Sequence, residues 1–402
     1  MSSEPEAGRG TDGRFRVVVA GGGVAALEAC LTLRELAGDR VQITLLAPDA
    51  DFIPRPMRVR EPFGASLARH YPLDAIADEL GLEHRVDRFK WLDAPRAIVH
   101  TANGDAVPYD ALLVAIGARM CPAFGHALTI DDARLDEQLH GLIQDIEAGH
   151  IGSLAFVGPV AMAWPLPLYE LALMTARRAE DMQSELAITI VTPEDAPLAV
   201  FGDSVSKRVA ELLAASHIRT LTSARCAVPT PGWVTVRPGA HRLHVDRVIA
   251  LPELFGPATP GIPGGPPRGF IPIDAHCQVR GLSRVFAAGD ATDFPIKHGA
   301  IAAQQADTAA EAIAQLAGAP VRARPFYPTL AAELLGGDVP LYLSAVVSGS
   351  HGAHSRVDLE PTWPASGKIS ALRLAPYLES LDERGLGRPG VASPVGAAAT
   401  GE

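Results

Sequence analysis

A β-branched run that ends in three consecutive glycines constrains this chain more than any other feature. Phe15 to Ala20 reads as a fully buried strand. Gly21-Gly22-Gly23-Val24-Ala25-Ala26 follows, and a helix is expected from about Val24 to Leu36, stopped at Gly38. Val41 to Leu46 reads as a second strand parallel to the first, because parallel neighbours need a crossover such as this helix. The turn fits G-x-G-x-x-A at Gly21, Gly23 and Ala26. Gly21 permits the tight turn, Gly23 lets a pyrophosphate approach the backbone, and Ala26 lets the helix pack close to the strand. The helix start then offers free N–H groups and a positive dipole end to the phosphates. Alone the pattern is weak; between a strand and a helix it points to a dinucleotide. An acidic residue for the ribose hydroxyls is missing at the end of the second strand, where Ala47 stands. Asp49 or Asp51 is within reach along the chain, and each reads equally well as a solvated loop charge.

The same units recur along the chain, giving an α/β class with two Rossmann-like three-layer domains. Arg96 to Pro108 reads as a hairpin about Asn103-Gly104, whose backbone favours the positive φ of a tight turn. Ala111 to Gly117 reads as another buried strand. Ser153 to Gly158 opens a second unit, with a turn at Gly158-Pro159, a helix around Leu168 to Ala179 and a strand from Leu186 to Val191. Pro257 to Gly269 reads as a crossing linker, Arg284 to Ala288 as a buried strand, and Gly299 to Leu316 as a long Ala-rich helix. The expected boundaries are a disordered lead-in over 1–13, a first domain from 14–120 and 270–322, and a second over 121–269. A C-terminal module over 323–385 and a disordered tail over 386–402 complete the division.

Length and charge narrow the function. The 402 residues suit two or three domains, and a net charge of -11 argues against nucleic acid and against adhesion to anionic lipid by charge. No apolar run reaches the length of a membrane span and no signal-like segment opens the chain, so a cytoplasmic location is expected, with at most peripheral contact at the inner face of a membrane. The four cysteines, Cys30, Cys121, Cys226 and Cys277, form no CxxC pair and read as structural thiols. The thirteen histidines lack ligand spacing, and no metal site is expected.

Three segments occur in an order that resembles a known family. They are the first glycine turn, Leu112-Leu113-Val114-Ala115-Ile116-Gly117-Ala118-Arg119, and Val285-Phe286-Ala287-Ala288-Gly289-Asp290-Ala291. Together they resemble the glutathione-reductase-type flavoproteins. Within that group, Phe52-Ile53-Pro54-Arg55-Pro56 and Pro295-Ile296-Lys297-His298-Gly299 are most similar to the sulfide:quinone oxidoreductase and type II NADH dehydrogenase branch. The resemblance spans Arg14 to Leu316 and implies a noncovalent FAD in the first domain. It assigns Gly21, Gly22, Gly23, Val24, Ala25, Ala26, Arg55, Ala115, Gly117, Arg119, Gly289, Asp290 and Lys297 to the cofactor, with Asp290 on the ribityl chain. Lys297 and the helix start at Gly299 would lie near the flavin pyrimidine edge and stabilise negative charge on the reduced ring. Ile116 departs from the threonine of the middle motif.

The second domain departs further. Val160 and Ala163 stand where its second and third turn glycines belong, so NAD(P)H binding in the usual manner is in doubt. Trp164 stands about where the branch has a redox-active cysteine, and no cysteine follows Cys277, so polysulfide chemistry is not carried over. Ala47 to Gly64 holds no cysteine either, which excludes a disulfide reductase. Trp164 has two readings: shielding the flavin face, or packing an interdomain core. Glu170 matches a helix glutamate near the flavin in related quinone reductases, where a raised pKa would suit a proton relay; a surface-helix glutamate is the rival reading. Glu170 and Lys297 are the candidate catalytic pair. The expected function is a FAD-dependent oxidoreductase passing electrons from a small reductant to a quinone-like acceptor. The alternatives are an NAD(P)H-dependent flavin reductase serving a protein acceptor, and a non-catalytic flavin-binding paralogue.

Overall fold

The computed structural model describes residues 13–64, 67–131, 134–239, 241–337, 339–348, 351–361, 363 and 368–390. The expected lead-in therefore lies outside the described residues, apart from Gly13. The first unit forms as its pattern predicts. Strand β1 (Phe15–Ala20), helix α1 (Val24–Ala37) and strand β2 (Val41–Ala47) follow one another, and β2 pairs with β1 in parallel from Phe15↔Val41 to Ala20↔Leu46. Both strands are apolar and buried on two faces, as a sheet covered by helices requires. After helix α2 (Leu73–Leu80) come β3 (Glu83–Val86), next to β2, and β4 (Ala111–Val114), on the other side of β1. The late strand Val285–Ala287 closes this sheet beside β4. Residues 89–108 form a three-stranded antiparallel sheet between β3 and β4, which contains the expected hairpin.

The second domain repeats this plan. Helix α3 (Leu135–Glu147) leads to β5 (Ser153–Val157), helix α4 (Leu166–Asp181), β6 (Ala187–Val191), helix α5 (Asp203–Ala215), β7 (Arg219–Leu221) and β8 (Arg247–Ala250). Their parallel order is β7-β6-β5-β8, then Leu128–Thr129, the same order as β3-β2-β1-β4 and the late strand. A second three-stranded antiparallel sheet, residues 225–244, again precedes the fourth strand. In such sheets ligands bind beyond the C-terminal strand ends where the order reverses. Here those are the ends of β1 and β4 in one domain and of β5 and β8 in the other.

Helix α6 (Gly299–Leu316) has the bounds that its Ala-rich pattern predicts and packs on α1 through small residues. Beyond it the chain serves two cores. Strands β9 (Thr329–Leu334), β10 (Leu341–Ser348) and β11 (His351–Asp358) bury Leu330, Leu334, Leu341 and Leu343 against the second domain. Helix α7 (Leu374–Glu383) buries Leu374, Leu378 and Leu381 in the first. The expectation of a disordered tail from residue 386 needs correction at its start. Arg388–Pro389 pairs antiparallel with Arg69–His70, which ties the chain end to the first domain; the remainder of the tail, 391–402, lies outside the described residues.

A carboxylate cap docks α7. Buried Glu28 of α1 accepts from the backbone N–H groups of Arg373 (2.9 Å) and Leu374 (2.6 Å), two donors that the start of α7 would otherwise leave unpaired. The Arg373 guanidinium spans Glu35 (2.6 Å) and Asp307 of α6 (2.9 Å). Burial, with Asp307 nearby, pushes the Glu28 carboxyl up to about 7. Its folded pKa is raised, so its proton-linked contribution to stability is complete at acid pH and is lost as pH rises toward and through about 7. Glu28→Ala, which strands both N–H groups, is expected to cost about 1–3 kcal/mol. Denaturant melts of this variant and of Glu28→Gln check it, and the Gln variant should lose the pH dependence in that window.

Candidate functional site

The cleft at the ends of β1 and β4 is built by close backbone approach. Gly21 has φ +126° and donates its N–H to Leu46 O at 2.8 Å; a Cβ there would sit 2.2 Å from Ala115 O. No side chain fits between these two strand ends, so this glycine is demanded by the fold itself. Gly23 is different. Its φ is -93°, open to any residue, and a Cβ added there meets no atom within 4 Å. The fold does not need glycine at that position, whereas a ligand approaching the backbone does. Gly23 also heads α1, whose first turn carries no side-chain cap and no acidic residue. Free N–H groups and an uncompensated dipole end make an anion site. A pyrophosphate fits this cradle.

Gly289 packs against the same helix: a Cβ there would stand 3.5 Å from the Cβ of Ala25 in α1. Ala115 lines the turn at Gly21, and Arg119 is held by donating Nε–H to Gly256 O at 3.0 Å. The Gly289 N–H donates to Gln305 of α6 at 2.8 Å, and Thr292 Oγ1 donates back to Gly289 O at 2.9 Å, which fixes the turn carrying Asp290. Arg55 is exposed at the start of a 3-10 segment over residues 55–63. Neither ribose candidate is drawn in clearly: Asp49 is exposed and Asp51 lies 3.6 Å from His70.

Lys297 is buried, with 7% of its surface exposed. Its ammonium donates to Thr292 O and lies 3.9 Å from the Phe270 ring centroid. Burial lowers its pKa to about 8 against the pull of Asp290 and Asp293. Glu170 is 1% exposed, so the surface-helix reading falls away. Its carboxylate accepts from Leu335 N–H at 2.9 Å and forms an ion pair with Lys368. Burial raises the Glu170 pKa while Lys368 opposes the shift. Trp164 stacks on His298 at 4.3 Å and tilts against Phe201 at 5.7 Å, so it packs between α4, α6 and the second core. Lys368 and His298 had no assigned role in the sequence. The one available signal was the place of His298 just before an Ala-rich helix.

The turn at Gly158 in the second domain is packed by its own chain. Met162 Sδ lies 2.9 Å from where a Cβ on Gly158 would stand, so methionine fills the space over that turn. Pro165 and Pro167 flank the start of α4 and bring no N–H to it, which weakens the anion site there. Glu194 lies beyond β6, two residues past Thr192, which holds the strand-end place that Ala47 holds in the first domain. It is consumed internally, accepting from Tyr169 OH at 2.5 Å and Thr192 Oγ1 at 3.3 Å. Burial pushes its carboxyl up to about 7.

All four cysteines are free thiols; burial pushes Cys30 up to about 12 and Cys226 up to about 11. Among the described residues no helix is long and apolar enough to cross a membrane.

No protein-family model matches the chain. Solved structures do. The sulfide:quinone oxidoreductase of the hyperthermophilic bacterium Aquifex aeolicus is 19% identical, with a TM-score of 0.75 over 92% of this chain and 90% of that one. The ferredoxin reductase for the CYP199A2 system of Rhodopseudomonas palustris is 18% identical, with a TM-score of 0.61 over 84% and 83%. Putidaredoxin reductase, in its covalent complex with putidaredoxin, is 18% identical, with a TM-score of 0.59 over 83% and 82%. At such identities the likeness is one of fold, and it agrees with the motifs: this chain has the two-dinucleotide-domain fold of these oxidoreductases.

Proposed function

We propose that the protein is a FAD-dependent oxidoreductase that passes electrons from a small reductant other than NAD(P)H to a quinone-like acceptor. The observation that carries this reading is the open cradle at Gly23, beside an uncapped α1 in one domain, against Val160 at the equivalent position of the other. FAD would be held noncovalently: the pyrophosphate at Gly21 to Ala26, the ribityl chain at Asp290, the remainder along Ala115, Gly117 and Arg119. When bound it supplies reversible two-electron chemistry. Lys297 braces the turn through Thr292 O and adds positive charge behind it. Glu170 and Lys368, a buried acid–base pair, are placed to hold a proton out of contact with water. With Trp164 at the start of α4 and no cysteine after Cys277, the sulfide:quinone oxidoreductase cysteine pair has no counterpart, so sulfide is not the favoured donor. Contact with a membrane would be peripheral, and a cytoplasmic setting fits the acidic surface.

A reductase serving a protein acceptor is the second reading, favoured by two neighbours named as ferredoxin and putidaredoxin reductases. Nicotinamide nucleotide separates the two. NADH and NADPH at millimolar concentration are expected neither to bind in calorimetric titration nor to bleach the flavin without oxygen. Micromolar binding with rapid bleaching would favour the second reading and show that Met162 moves aside.

A further inference from the structure

We propose that His298 is a fixed, neutral hydrogen-bond donor at the head of α6, presenting Nε2–H to a ligand carbonyl oxygen that gains negative charge as electrons arrive. This rests on the reading that FAD occupies the cleft beside α6. His298 is the N-cap of α6, and its Nδ1 accepts from the Ala300 backbone N–H at 3.3 Å. A neutral imidazole that accepts at Nδ1 carries its proton on Nε2. No partner for Nε2 occurs among the described residues, and the residue is partly exposed, so a ligand can reach that nitrogen. The ring cannot turn freely, because it is stacked on Trp164 with 29° between the planes. Packing and the cap bond thus fix both orientation and tautomer.

The charged groups around the ring keep it in that form. Lys368 faces it from the C-terminal segment, itself paired to Glu170 of α4, and Lys297 adjoins it in the chain with its ammonium turned to Thr292 O. Packing against Trp164 and the Lys368 charge lower the imidazole pKa, so it stays uncharged at neutral pH. A donor already aimed, beside a helix N-terminus, lowers the energy of charge on a carbonyl oxygen without reorganising when that charge forms. Two ligands bring such an oxygen: the flavin ring and a quinone acceptor.

Nitrogen-15 NMR of the histidines, with and without FAD, reads the tautomer directly. Protonated Nε2 and bare Nδ1 at His298 from pH 5 to 8 is the expected result; titration near the ordinary histidine pKa would overturn the proposal. His298→Leu and His298→Gln then locate the oxygen. If it belongs to the flavin, His298→Leu should weaken binding of reduced FAD relative to oxidised FAD roughly tenfold, as loss of a hydrogen bond to a charged group implies. If it belongs to the acceptor, that ratio holds and the Kd of a short-chain quinone for the FAD-loaded protein rises roughly tenfold instead. In either case His298→Gln, which keeps a donor, should recover most of the loss. Neither quantity moving in a flavin-loaded His298→Leu protein would overturn the proposal. A wild type that binds no FAD would defeat the reading of the cleft, and the NMR result would still decide the tautomer.

Discussion

Gly23→Val is expected to weaken FAD binding by on the order of a hundredfold or more, which corresponds to about 2.8 kcal/mol, while leaving the protein folded. The two halves of that result have separate causes. Gly23 has extended backbone with φ -93° and ψ -169°, and no atom lies within 4 Å of a built Cβ, so valine enters open space and strains nothing. That space is where a pyrophosphate would meet the N–H groups of α1, and the branched side chain takes it. Gly21→Ala is the contrasting control. Its Cβ would collide with the backbone oxygen of Ala115 at 2.2 Å, at a φ of +126° that side chains avoid, so loss of fold should accompany loss of flavin. Fluorescence titration with FAD and thermal melts of both variants make the comparison. A Gly23→Val protein with wild-type affinity would remove the pyrophosphate from this turn.

Lys368→Met should destabilise the protein by about 3–5 kcal/mol, the usual cost of removing one member of a buried ion pair. The side chains of Lys368 and Glu170 are 5% and 2% exposed, so the carboxylate left behind has no water to replace its partner. It still accepts from Leu335 N–H, which limits the damage. Without Lys368 the Glu170 carboxyl rises further above its ordinary range, because the remaining influence is chiefly burial. An acid with a raised folded pKa loses its contribution as pH rises, so the variant should be hurt more at pH 8 than at pH 6. Adding Glu170→Gln should recover much of the loss by removing the stranded charge. Urea denaturation of the single and double variants at both pH values is the check, and equal stability of wild type and Lys368→Met would place the pair in contact with solvent.

What was legible in the sequence has short range and a repeating cause. The β1–α1–β2 unit, the hairpin about Asn103-Gly104 and the bounds of α6 all follow from periodicity and turn chemistry among residues near in sequence. The predicted strand from Ala111 to Gly117 was too long, because pairing ends at Val114, where the chain turns past Gly21. The electrostatic partners were not legible. Glu170 meets Lys368, Glu28 meets Arg373, and Tyr169 meets Glu194 only after the chain has folded, and no spacing joins such ordinary residues in advance. The decayed glycine turn at Gly158 was visible as an absence. Met162 comes to pack against it only in the folded chain. His298 stands just before an Ala-rich helix, and only its partners show that its two nitrogens are differently engaged.

The most direct test is transfer from the flavin to a quinone. FAD-loaded protein is reduced with dithionite under anaerobic conditions, freed of excess reductant, and mixed in a stopped-flow instrument with a short-chain quinone. Electron transfer to the quinone is expected to restore the visible absorption of oxidised flavin at a rate that rises with quinone concentration, and the same experiment with ferredoxin-type proteins is expected to be slow. A flavin that remains reduced in the presence of quinone, or a protein that takes up no FAD at all, would contradict it.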